Sequence, residues 1–196
     1  MTMTFRHHPW VGDLFQANTT PRLMILGESH HGEYCDATDM TVPVVEEWLS
    51  GVSNPAYRFF THLAVAISGE EPFRLDRRET FRRIMFYNYV KAVMPGSRAA
   101  PTGKNFVESE PAFREVVEKY RPTHIVVCGK RLWDNMPSFD PPNAEGQRVR
   151  LGDEEFLVGR YRTANATALA MCIRHPQSGF NGRKWYPRLQ AFIALQ

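Results

Sequence analysis

Lysine is scarce in this sequence: 5 residues against 19 arginines among 196 in all. Arginine is the cation that forks onto phosphates and stacks on bases, though genomic codon preference produces the same ratio. A formal net charge of +3 permits a nucleic-acid partner without demanding one. Cysteine is scarcer still. Cys35, Cys128 and Cys172 are odd in number, widely spaced and form no Cys-x-x-Cys pair. That argues against a disulfide framework and against a zinc or iron–sulfur site. Cys128 and Cys172 lie within apolar runs, where cysteine acts as a small buried hydrophobe. No apolar stretch approaches the roughly 20 residues that span a bilayer. Residues 1–15 lack the apolar region and small-residue cleavage site of a secretory leader. Repeats and low-complexity tracts are missing. The expectation is a single domain over residues 1–196, soluble and cytoplasmic, with no membrane partner.

What is present is enough for a sizeable core: 43% hydrophobic and 12% aromatic residues with 23% charged. Such a balance excludes disorder and coiled coil. Four apolar segments organise the chain, at 22–26, 84–89, 123–128 and 166–173. The first and third are short, continuous and closed by Gly27 and Gly129, the pattern of buried strands. The second is aromatic-rich and ambiguous between strand and helix end. Helical spacing marks 44–49, 57–67, 131–136 and 185–195. Another helix is expected over 109–120, with Ser109 as N-cap and Pro111 in the first turn. The run from Arg77 to Arg83 reads as a solvated helix face. Unbroken apolar strands alternating with helices predict an α/β fold. Its expected form is a three-layer sandwich with a four-stranded parallel central sheet flanked by helices, plus a small β-hairpin near 147–161.

Ligands in such sheets bind beyond the carboxyl ends of the strands. Polar groups collect there. Gly27-Glu-Ser-His-His-Gly32 sets a carboxylate, a hydroxyl and two imidazoles between glycines directly after a strand. Glu28 is suited to general-base work or to orienting water, and a histidine to donating toward a developing anion. Neighbouring histidines on an extended segment point opposite ways, which argues against a metal there. His175-Pro176 ends the last strand, a position from which an imidazole can hydrogen-bond an oxyanion. Asn88 carries donor and acceptor together, as a base edge requires. Core packing is the better account of Phe86 and Tyr89. Lys130 and Arg131, after Gly129 at a helix start, would suit a phosphate. His7, His8 and His62 read as ordinary surface or packing residues and His124 as structural.

Taken in order, these pieces resemble the uracil-DNA glycosylase superfamily over about residues 22–195. Gly27-Glu28 is similar to the first motif of one branch, Asn88 stands for the base-reading Asn, and His175-Pro176 matches the opening of the last motif. Val126-Val-Cys-Gly-Lys130 is similar to the superfamily's strand-Gly-Lys segment. Ser29 stands where the superfamily has Asp, and His30 where it has Pro. The resemblance implies hydrolysis of the N-glycosidic bond of a damaged or deaminated base flipped out of DNA, as in DNA repair; neither cofactor nor metal is expected, and the chain is expected to be a monomer. It implies Glu28, Ser29 and His175 as catalytic residues, and Asn88, His30 and Tyr34 around the base. Phe180 becomes an exposed wedge, with Arg183, Lys184, Lys130 and Arg131 on the DNA. One alternative is a nucleobase or nucleic-acid binding module with the same fold and no glycosylase activity. Another is a small hydrolase using Glu28 and His31, since Gly-Glu followed by His-Gly also resembles the first motif of erythromycin-esterase-like enzymes.

Overall fold

The described residues hold nine strands and six α-helices. The strands are Trp10–Val11 (β1), Leu23–Gly27 (β2), His30–His31 (β3), Ile84–Asn88 (β4), Val93–Met94 (β5), His124–Cys128 (β6), Gln147–Leu151 (β7), Glu154–Arg162 (β8) and Thr167–Ile173 (β9). The helices are Thr41–Leu49 (α1), Arg58–Ser68 (α2), Arg77–Phe81 (α3), Gly103–Tyr120 (α4), Lys130–Asp134 (α5) and Gly182–Ile193 (α6). This computed structural model describes residues 7–17, 21–32, 39–96, 99–140, 146–151, 154–162, 164, 167–177 and 179–195.

The four apolar segments are all strands, and they stand side by side as β4, β2, β6 and β9, each parallel to the next. The ambiguous second segment is therefore β4. An expectation of only four strands is corrected, because the sheet is mixed and has seven, in the order β1-β4-β2-β6-β9-β8-β7. β1 adds antiparallel to β4, and the hairpin of β7 and β8 adds antiparallel to β9. The hairpin expected near 147–161 is thus part of the main sheet. The physical reason lies in β9, whose outer row of N–H and C=O groups would otherwise be unpaired. β8 can supply that pairing because Val158 and Tyr161 turn inward and are buried while Arg160 and Arg162 face solvent.

Alternation along each central strand feeds two separate cores. Leu23, Ile25, Ile84, Phe86, Val126, Met171 and Ile173 face one side, where α1, α2 and α6 bring Trp48, Phe60, Leu63, Leu189 and Phe192. Met24, Leu26, Met85, Tyr87, Ile125, Val127 and Ala170 face the other, under Phe106, Phe113 and Val117 of α4 and Leu132 of α5. Removing a ring such as Phe113 from such a core costs about 3–5 kcal/mol. Phe86 and Tyr89 are buried in these cores.

α4 begins earlier than its sequence pattern predicts. Thr102 caps it in a reciprocal pair with Asn105, and Pro111 sits in its interior on the exposed face. Ser109 is no cap. Its hydroxyl donates to the Asn105 carbonyl (2.6 Å) and accepts from the Lys91 N–H (3.1 Å), tying α4 to the chain that leaves β4. The Arg77–Arg83 run forms α3 and the turn after it, capped by Asp76, with Arg82 bridging Asp13 and Glu79. No helix among the described residues is long and apolar enough to cross a membrane.

Candidate active site

All four parallel strands deliver polar residues to one end of the sheet. β2 and β4 are in register, so Gly27 lies beside Asn88. A Cβ at residue 27 would stand 2.1 Å from Asn88 Oδ1, so only glycine lets that amide fold across the strand end. Asn88 Nδ2 lies 3.2 Å from both ring nitrogens of His30, whose Nε2 is 2.9 Å from Thr41 Oγ1. His30 is buried edge-on against His7 at 4.8 Å between centroids. Burial, then the charges of His7 and His31, push its pKa down to about 3. It is therefore a neutral strut for Asn88. Expected beside the base, it is buried between Asn88, Thr41 and His7.

Glu28, just past β2, is clamped by Arg131 from the first turn of α5. Nε donates to Oε2 at 2.7 Å and a terminal nitrogen to Oε1. The carboxylate side chain is only 10% exposed while the guanidinium is 55% exposed. Arg131, expected on phosphate, thus takes the carboxylate as its partner, and the pair holds its guanidinium pKa above the ordinary value.

His175 follows β9. Its Nδ1 accepts the Gln177 N–H at 3.3 Å, so in the neutral ring the proton resides on Nε2. Burial lowers its pKa and Glu28 raises it, while Arg131 and His31 lower it further. The direction is down, so the ring is neutral near pH 7. Those four residues therefore share one electrostatic neighbourhood. Gly129, at φ +112°, brings the backbone against the imidazole: a Cβ there would lie 3.4 Å from His175 Cδ2. His175 packs on Phe59 of α2 (5.5 Å) and lines a cleft of about 620 Å3 with Trp133, Ile173, Arg174 and Trp185.

Ser29 and His31 project on the opposite side of their segment from His30, as extended backbone requires. Ser29 Oγ is 3.2 Å from His31 Nε2, and His31 Nδ1 is 2.9 Å from the Gly96 carbonyl oxygen. Pairing of β3 with β5 carries the chain on to Gly96, which places that carbonyl beside the ring.

The expected DNA-binding residues are placed less favourably. Phe180 is not an exposed wedge. It is 7% exposed, stacked at 2° on Trp185 and facing His62, because the turn folds its apolar ring into the α2–α6 core. Arg183 pairs with Glu71 and Lys130 with Asp134 (2.7 Å). Lys184 is exposed without an ion pair among the described residues. Tyr34 and Cys35 lie outside the described residues. Sequence reasoning passed over Thr41, Phe59 and Gly96 and took His62 for an ordinary surface or packing residue. His62 Nδ1–H donates to the Pro176 carbonyl at 2.5 Å and so fastens the His175 turn. No local pattern marks such a residue, because its partner lies 114 positions away.

A neutral imidazole N–H and a fixed carboxylate can stabilise opposite charges on the two sides of a breaking bond. Among the described residues no group of three or more His, Cys, Asp and Glu is gathered as metal ligands would be. No protein-family model matches the chain, and no curated protein matches it in sequence.

Proposed function

We propose that this chain hydrolyses the N-glycosidic bond of a damaged or deaminated base in DNA. The observation that carries the reading is the state of His175: its Nδ1 is spent on the Gln177 N–H, so the neutral ring carries its proton on Nε2, in a ring that feels the charge of Glu28. As the bond stretches, negative charge grows on the departing base and positive charge on the sugar. His175 donates to the base. Glu28, forked by Arg131 through both oxygens, keeps its remaining lone pairs for a water and lends its charge to the sugar. Asn88 spends one amide N–H on His30 and retains the other, with Oδ1, for the base edge. Lys184 and Arg174 are the exposed cations for the DNA backbone. The packed Phe180 takes no part.

The test is single-turnover base release from duplex and single-stranded DNA containing uracil, hypoxanthine or xanthine. Release that falls roughly 10²-fold or more in Glu28→Ala, with DNA binding retained, is the expected result. Binding without an abasic product from any of the three would replace this reading with a recognition module.

A further inference from the structure

Ser29, His31 and the Gly96 carbonyl stand in series. A carbonyl oxygen only accepts, so His31 Nδ1, at 2.9 Å from it, carries the proton of the neutral ring. Nε2 is then the lone-pair nitrogen, and Ser29 Oγ, 3.2 Å away, donates to it. A hydroxyl on a base whose other nitrogen is held by a third group is the arrangement that turns serine into a nucleophile. The backbone fixes it: residues 29 and 31 share a side of an extended segment, and β3 pairs with β5 two residues before Gly96. His31 is exposed and Ser29 half-buried, so a substrate can reach both. His31 is the base that Ser29 meets, while Glu28 is held on Arg131.

We propose that Ser29 is a nucleophile activated by His31, and that this site cleaves carboxylic esters through an acyl-serine intermediate. Oγ bonds to the carbonyl carbon while its proton passes to His31 Nε2. Collapse of the tetrahedral adduct breaks the carbon–oxygen bond of the leaving group, and the departing alkoxide takes that proton. Water then attacks the acyl-serine, giving its proton to His31, which returns it to Ser29 as the acid leaves. His175 and Arg131, in the same electrostatic neighbourhood as His31, are the donors assigned to the oxyanion. An ester fits these parts better than a glycoside, because serine–imidazole pairs attack trigonal carbon, whereas covalent glycoside chemistry is carried by carboxylate nucleophiles. This inference does not rest on the base-release reading.

The experiment treats the intact protein with a fluorophosphonate and, separately, with an aryl acetate, locating the label by peptide mass. One label per chain on Ser29 is expected, with a matching burst of phenolate. Labelling should vanish in Ser29→Ala and slow roughly 10²-fold or more in His31→Ala. Ser29→Cys should recover acylation by the aryl acetate. An unlabelled Ser29 in the unmodified protein, or His31→Ala labelled as fast as wild type, overturns the proposal. The second result would make the hydrogen bond a strut, which would lower Tm alone. Base release measured on the same samples is a separate readout: if it persists while Ser29 stays unlabelled, only the ester proposal falls.

Discussion

The two ends of the parallel sheet each carry a cleft of nearly equal size and a histidine pressed into it. At the amino ends, about 630 Å3 is lined by Thr123, His124, Thr167, Leu169 and Leu195, with Arg160 and Arg162 at hand. At the carboxyl ends, about 620 Å3 surrounds His175. Burial lowers the pKa of both imidazoles. They differ in what their nitrogens have left to give. His124 Nδ1 is 2.9 Å from the Thr123 hydroxyl and its Nε2 is 3.2 Å from the Leu195 carbonyl, which commits both. His175 has one nitrogen committed, to the Gln177 N–H. Volume and the direction of titration are alike at the two ends; unspent hydrogen-bonding capacity is what differs.

The sharpest way to break that comparison is to remove each ring. His175→Ala should lower single-turnover base release by roughly 10²–10³-fold with little change in Tm. His124→Ala should leave the rate alone and cost about 1–3 kcal/mol of stability, from the groups it leaves unpaired. Equal effects on rate would erase the distinction.

Gly129→Ala should come next. Its φ of +112° strains any side chain, and the new Cβ would press on His175. A rate loss of about tenfold is expected, roughly 1.4 kcal/mol of barrier. An unchanged rate would show that the turn does not position the imidazole.

Acid should then weaken the fold in a defined window. His30 titrates near pH 6.5 when unfolded and at about 3 in the native protein. Between those values the unfolded chain binds more protons. The stability contributed by the neutral ring is whole above pH 6.5 and is lost as pH falls toward 3. His124 and His175 act in the same direction. Tm measured from pH 7 to 5 should fall, with His30 alone removing up to about 1.4 kcal/mol of stability per pH unit. His30→Gln should flatten the slope.

The smallest effect concerns the surface. Lys184→Ala should weaken DNA binding uniformly across sequences and reduce its salt slope by about one unit. Arg183→Ala should do less, because Glu71 already holds that guanidinium. The opposite order would move the DNA path to the α6 side that faces Glu71.

The parallel strands were legible because buried strands announce themselves as unbroken apolar runs. Val126 and Ile125 point to different cores, yet both must be apolar. Their number in the sheet was not legible, since β1 is two residues long and pairing partners carry no local mark. At the site, Glu28 and His175 could be nominated from their place after strands. Their environments could not. The Arg131 fork, the Gln177 N–H on Nδ1 and the His30 strut behind Asn88 are all contacts made by the fold. Phe180 shows the reverse error. A large ring in a Gly-rich loop looks exposed until α2 and α6 offer it a core.

The strand order also sets a timetable. Glu28 and Arg131 are 103 residues apart and meet once β6 docks on β2. His175 arrives only when β9 adds beyond β6, and α6 seals it afterwards. Contacts of such long range form late, after the entropy of closing large loops has been met. A chain emerging from the ribosome can therefore bring Asn88, Glu28 and Arg131 together at the strand ends while still lacking the imidazole.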